Sequence, residues 1–525
     1  VEGRAGKLLD KIFGREKDYQ VSNPELVKYA TGIAGQNISF SFISGWFQHF
    51  CIAVMGYPKM IISSILAISR VWDAFNDPLV GGIIDKHVFK NGEKLRPFLK
   101  ITPIPIGILI ALLFMDFGLA WTQTVVFIIV VYFLFDFLYS FQDIAQWGMT
   151  ALISTNSKER AKISQVARIG AMIGALPSGL IILIIGNRHA LGGISEKDIF
   201  FILGIVFGFG GMVLSLFNYA AKERAPVIKM EEGLIKSFRL LFSNKMVMLV
   251  VLGNILSVCT LTVNQIYFFK YMVSANVFGR EINGLNISFI FGLVVGLPGA
   301  IGMFLSQKLM KRVGGPKNLL ILGVAANIIF RLIAFFVGYE GIRIMIMGVL
   351  MALAGIPTAM AGIATTTLLG DSLDYMEWKT GKRNEGAVYS TQNFTAKIGG
   401  AIQTFFTGVT LVILQFDSDA YNNDTPQPDA FYRWVWPIFM LAPVIGSLLH
   451  IIPMLFIRYD NAQKERLEKQ LAIARAIRAG DYITVQEKYG ITNCFAGKDI
   501  PESAKRLYQR ASFLHKKEEE EEILC

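Results

Sequence analysis

The chain has 525 residues, of which 53% are hydrophobic and only 17% charged, with a mean hydropathy of +0.47. A soluble domain carries about 25% charged residues, so a soluble globular protein is excluded and a polytopic membrane protein is expected. The formal net charge of +11 resides largely in short loops between apolar runs, which explains it without nucleic acid.

The N-terminal stretch, residues 1–31, is charged at its start and lacks an apolar h-region, so no cleavable signal is expected. Runs of 18 or more mostly apolar residues cross a bilayer about 30 Å thick. They predict twelve helices, near 32–54, 60–84, 98–115, 121–152, 163–186, 199–220, 246–273, 284–307, 318–338, 342–370, 387–415 and 433–457. Four alternate loops are the more basic ones: Lys86 to Arg96, Lys158 to Lys162, Lys308 to Lys317 and Lys379 to Arg383. That asymmetry places both termini in the cytoplasm of a multi-pass protein of the cell membrane.

A polar link, residues 221–245, separates six helices (32–220) from six more (246–457), the layout of major-facilitator transporters. The stretch 458–525 reads as a small helical cytoplasmic tail ending in a charge run. The fold class expected is therefore all-α and integral to the membrane, with two six-helix halves.

The second span contains RVWDAFNDPLVGGIIDK, residues 70–86. Asp73 and Asp77 stand four apart and so share a helix face, with Asn76 beside them. A carboxylate at the bilayer centre costs roughly 2.5–3.5 kcal/mol on insertion scales, so the pair points to a buried cation site. In the fourth span Asp136, Ser140, Asp143 and Trp147 form one helical stripe. Ser140 alone reads as a helix–helix hydrogen bond and Trp147 alone as an interfacial anchor or core filler, but two acids on one stripe point to function.

The fifth span opens with Ser164, Gln165 and Arg168, and the eleventh carries Gln392, Asn393 and Lys397. Lys397 is too deep to snorkel easily, which favours pairing with Asp73, Asp77 or Asp143. Gln36, Asn37, Ser39 and Ser41 give the first span a polar side. A cavity of this make-up suits a polyhydroxy solute, and its oxygen ligands suit a hard cation such as Na+. The chain shows no Walker A motif, no nucleophile–base set and no metal spacing. Its four cysteines and five histidines are dispersed. No enzymatic activity and no cofactor beyond a coupling Na+ or H+ are expected.

Three stretches, RVWDAFNDPLVGGIIDK, YSFQDIAQW and DSLDYMEWKTGKRNEGAVYSTQNFTAKIGGA, carry a resemblance to the glycoside–pentoside–hexuronide:cation symporters over roughly residues 28 to 460. The resemblance implies a cation site at Asp73, Asn76, Asp77 and Ser140, where members often have Thr in place of Ser140. It also implies sugar contacts at Asp143, Trp147, Arg168 and Lys397, and a cytoplasmic charge network of Arg160, Asp371, Asp374 and Arg383. Melibiose-carrying members have an Asp where Asn37 stands. Losing that acid while retaining Arg168 and Lys397 favours a uronide or another non-galactoside glycoside, although Asp136 works against an anion. Asn37 and Asn393 are counted with the substrate contacts.

The expected function is symport of a glycoside, oligosaccharide or hexuronide with sodium or protons by alternating access, with membrane lipid as surroundings and no nucleic-acid partner. A cation-coupled lysolipid transporter and a non-transporting membrane sensor are the alternatives.

Overall fold

The computed structural model describes residues 20–224 and 245–457, apart from 91, 191, 278–279 and 381–384, together with 464, 471 and 472. Most of the polar link, most of the C-terminal tail and Arg383 lie outside the described residues.

Helix α1, Asn23–His49, begins nine residues before the apolar run suggested, because local chemistry favours an earlier start. Ser22 accepts from the Glu25 amide, Pro24 fits the first turn, and the Glu25 carboxylate favours the positive helix end. A wider turn, Phe50–Val54, continues it. Helix α2 spans Lys59–Lys86 with Pro78 inside, and α3 is the short Pro103–Leu113, preceded by one turn at Phe98–Ile101. Helix α4 runs Trp121–Leu152. Helix α5 runs Ser157–Gly186, capped by the Asn156 side chain, so it too starts earlier than expected. Helix α6 extends from Glu196 to Ala220.

The seventh expected span is broken into Lys245–Val258 and Gln265–Met272, together called α7. At the break the Thr262 amide donates to Thr410 Oγ1 at 3.0 Å, and Asn264 caps the second piece by accepting from the Ile266 amide at 3.1 Å. Side chains thus replace two lost helical partners, which apolarity alone did not foretell. A hairpin unseen in the sequence follows, with β1 Ala275–Val277 antiparallel to β2 Arg280–Ile282. The chain continues through α8 Gly284–Arg312, α9 Pro316–Val337, α10 Arg343–Thr380, α11 Glu385–Ile413 and α12 Asp429–Leu455.

Among the described residues eight helices are long and apolar enough to cross a membrane. Helices α1 and α2 fall short on apolarity despite 27 and 28 residues, because they carry the polar groups of the site. The protein is an all-α membrane protein, with that one hairpin as the exception among the described residues.

The chain packs as two compact units, and chain order does not divide them. One comprises Val1–Glu231, Leu261–Phe291 and Gly400–Phe439; the other comprises Glu232–Thr260, Gly292–Gly399 and Met440–Cys525. In the first, Leu26, Tyr29 and Ile33 of α1 meet Ala145 and Met149 of α4 and Ile163 and Val166 of α5 in one apolar cluster. Helices α1 and α5 approach so closely that a Cβ on Gly170 would lie 2.5 Å from the Ala30 carbonyl, and one on Gly174 2.2 Å from that of Ala34. Such small-residue contact is how membrane helices maximise dispersion without a hydrophobic drive between them. In the second unit α9 lies on α10, with Leu319, Leu320 and Val324 in a cluster with Ala361, Ala364 and Leu368. Asn327 adds a 2.6 Å bond to Thr358.

Candidate functional site

Helices α2 and α4 bring the acids of the second span against the stripe of the fourth. Ser140 is 1% exposed, and its hydroxyl lies 2.9 Å from Asp77 Oδ1, 3.3 Å from Asp73 Oδ1 and 3.2 Å from the Asp136 carbonyl. One hydroxyl proton serves one of these acceptors at a time, so the oxygen faces more negative charge than its own proton can satisfy. Asn76 Nδ2 donates to the same oxygen at 3.0 Å. Its other end, Oδ1, is buried with no hydrogen-bond partner among the described residues. A buried amide oxygen left unpaired costs free energy; with the Asn76 amide turned over, that oxygen would face Ser140 and a cation beside it.

Pro78 adds to the oxygen count. It has no N–H, so the Ala74 carbonyl one turn earlier lacks its helical donor. Among the described residues no three His, Cys, Asp or Glu side chains gather as a metal cluster. Two carboxylates with neutral oxygens suit a hard monovalent cation better than a transition metal. The four residues expected for the cation are thus brought together.

Asp136, the other acid of the stripe, turns to a different task. It is buried and accepts the hydroxyl of Ser69, tying α4 to α2 one turn from the cluster.

Asp143 enters a second network. Gln36 Nε2 donates to Asp143 Oδ1 at 3.0 Å and lies 2.7 Å from the Tyr139 hydroxyl. Gln36 Oε1 accepts from Gln146 at 2.7 Å and from Asn37 at 3.1 Å, and Gln146 Oε1 accepts from Asn218 at 2.6 Å. A chain of neutral amides thereby fixes one face of the Asp143 carboxylate from α1, α4 and the end of α6. The Tyr139 hydroxyl, one residue before Ser140 on α4, joins this network through Gln36. Tyr139 and Gln146 were not singled out from the sequence; the signal was present, since Tyr139 precedes Asp143 by four residues on the same face.

Trp147 packs partly buried against the α1–α4–α5 cluster, and Arg168 is exposed on α5. Asn37 is half-buried and donates to the Ile33 carbonyl and to Gln36. Asn393, exposed, and Lys397, half-buried, stand on the part of α11 that belongs to the second unit. Of the expected charge network, Arg160 donates to the Ser154 and Thr155 carbonyls after α4, and Asp371 pairs with Lys464 at 2.6 Å. Asp374 is half-buried on α10.

A further constellation in the first unit includes His49, which the sequence shows only as one of five dispersed histidines. Glu196, buried at the start of α6, receives Tyr421 Oη at 3.1 Å and Arg188 Nη1 at 3.2 Å. Lys270 pairs with Asp424 at 2.9 Å, caps the Tyr421 carbonyl at 2.9 Å and lies 3.6 Å above that residue's ring. His49 Nδ1 and the Tyr267 hydroxyl are 3.0 Å apart. The cluster draws on parts of the chain up to 375 residues distant, so no local pattern announces it.

The long apolar helices thus carry a half-buried pair of acids beside a buried hydroxyl, with an amide-fixed carboxylate one turn on. The chain belongs to the MFS/sugar transport protein family, whose profile matches residues 28–461. Within it the chain is of the glycoside–pentoside–hexuronide:cation symporter kind. It is 26% identical over 449 residues to the isoprimeverose transporter of Lactiplantibacillus pentosus, covering 84% of this chain and 90% of that one. It is 26% identical over 423 residues to the uncharacterized symporter YjmB of Bacillus subtilis (strain 168), covering 79% and 88%. The solved nucleoside transporter NupG has the same fold at a TM-score of 0.55 and 14% identity, covering 83% of this chain and all of NupG.

Proposed function

We propose that the protein carries a glycoside or hexuronide across the cell membrane together with sodium or a proton. The observation that carries this reading is the Asp73–Asn76–Asp77–Ser140 cluster with its unpartnered Asn76 oxygen. A cation there neutralises two acids on adjacent turns and releases the Ser140 hydroxyl from them. Asp143, held by Gln36 on the next turn of α4, accepts sugar hydroxyls. Asp143 stands three residues after Ser140 on α4, so charge placed at one site changes the field at the other. Coupling is reciprocal: sugar tightens cation binding by the factor by which the cation tightens sugar.

Trp147, Arg168 and Lys397 are assigned the sugar contacts that the family resemblance implies, with Asn37 and Asn393 counted beside them. Arg160, Asp371, Asp374 and Arg383 keep the charge-network role, and both termini face the cytoplasm. Asn37 in place of an acid favours a uronide or non-galactoside. Uptake of glucuronides and galactosides into proteoliposomes, with and without a sodium gradient and at varied pH, tests the reading. A gradient-stimulated signal supports it; galactoside preference removes the uronide assignment, and no stimulation by either ion removes the symport.

One observation favours a lipid-like cargo as the second reading. Helices α1, α5 and α6 border an apolar cavity of about 460 Å³ lined by Ala30, Ala34, Ile38, Ile169 and Ile173. Lysolipid uptake in the same liposomes decides between the two.

A further inference from the structure

In the first unit a polar cavity of about 280 Å³ lies where α1, α2 and α11 meet the break in α7. Arg70 is the charged group of its wall. Gln48, Asn264, Gln403, Thr404 and Thr407 supply neutral hydrogen-bonding groups, and no carboxylate lines it among the described residues. Gln48 stands eleven residues beyond Asn37 on α1, about 17 Å at 1.5 Å per residue. The cavity is therefore separate from the Asp143–Gln36 network.

Three features make it a built site. Non-helical backbone at membrane depth is tolerated where it lines a polar cavity, and broken helices are where carriers expose binding groups; residues 262–264, between the two pieces of α7, form part of this wall. Gly400 makes room for the guanidinium, since a Cβ there would lie 2.8 Å from Arg70 Nη1. Gln48 is held by Nε2, which donates to Ser63 at 2.9 Å and to the Thr404 carbonyl at 3.0 Å, leaving its amide oxygen to accept.

A guanidinium among neutral amides and hydroxyls, with no acid in the wall, recognises an anion that also bears hydroxyls. Its planar fork matches a carboxylate bidentately. The volume is near the lower end of small-molecule sites, roughly 300 Å³, which suits a single sugar ring. We infer that this cavity is a second binding position for the carboxylate-bearing ring of an anionic sugar, anchored by Arg70. The inference rests on the sugar-symporter reading and extends it.

Arg70 also stands one turn from Asp73 on α2. A cation on Asp73 removes a negative charge that competes for the guanidinium, so the anion binds here more tightly when the cation site is filled.

The test is calorimetric titration of the full-length protein in nanodiscs with phenyl glucuronide and phenyl glucoside, a pair differing at the carboxylate. Wild type, Arg70→Gln and Arg70→Lys are titrated in sodium and in choline. The expected result is that wild type prefers the glucuronide by about tenfold in sodium and less in choline, as coupling of this kind permits. Arg70→Gln abolishes that preference and Arg70→Lys restores most of it, a rescue by charge that a purely structural role would not give. A preference that survives Arg70→Gln in protein of wild-type thermal stability overturns the site and leaves the symport reading standing. Sodium-stimulated glucoside binding without glucuronide preference in wild type does the same. Failure of wild type to bind either glycoside removes both readings.

Discussion

The Ser140 hydroxyl lies 2.9 Å from Asp77 Oδ1 and joins α4 to α2 at the paired acids. Ser140→Ala removes a neutral oxygen ligand and is expected to weaken sodium binding by about tenfold or more, read as sodium-dependent tryptophan fluorescence in protein that still folds. Asp77→Asn is expected to abolish sodium-stimulated sugar binding. Unchanged sodium response in both variants refutes the cation assignment.

Gln36 connects the amide chain to Asp143, at 3.0 Å. In Gln36→Leu the carboxylate loses its fixed donor, and the bond's charged character sets the loss at about 1.5–3 kcal/mol. Sugar affinity should fall by roughly tenfold or more, while sodium affinity measured without sugar changes much less. Equal losses in both titrations would place Gln36 in a general structural role.

Gly174 leaves no space for a side chain beside α1, where a Cβ would stand 2.2 Å from the Ala34 carbonyl. Backbone cannot yield as a flexible side chain does, so Gly174→Val forces α1 and α5 apart. Overpacking costs about 1–3 kcal/mol. A lowered unfolding temperature in detergent checks it; an unchanged one shows that the helices separate freely.

Two loop carboxylates set an acid limit. Burial pushes the Asp424 carboxyl up, but the hydrogen bond and charge of Lys270, with the charge of Arg188, outweigh it and hold it below the ordinary value. Asp116 is held low chiefly by its hydrogen bond from Lys197, then by the Gly118 amide. A depressed folded value means stability that is present above the unfolded value, about 3.9, and lost as pH falls through the folded one. The stability difference between wild type and Asp424→Asn should stay flat from about pH 8 to 5 and shrink below about 4. A difference that grows on acidification reverses the sign and refutes the pairing.

Local chemistry made much of the architecture legible. Apolar runs located the helices, since a bilayer-crossing backbone must satisfy its own polar groups. Ser22 and Asn156 show where apolarity was not enough: both caps start their helices earlier than the apolar runs do. Helix α7 shows the opposite failure, an apolar stretch broken at residues whose replacement partner, Thr410, lies 148 positions away.

The site divides along the same line. Helical periodicity by itself put Asp73 and Asp77 on one face, and Asp136, Ser140 and Asp143 on another, because residues four apart stack on a helix. Only tertiary packing decided which acid did what. It set Ser140 against Asp77, turned Asp136 to Ser69, gave Asp143 to Gln36, and left the Asn76 oxygen buried without a donor among the described residues. The Glu196 cluster and the Arg70 cavity were invisible in one dimension for the same reason. Each is assembled from helices far apart in the chain, and charge pairing and cavity shape depend on distances in space that spacing along one helix does not fix.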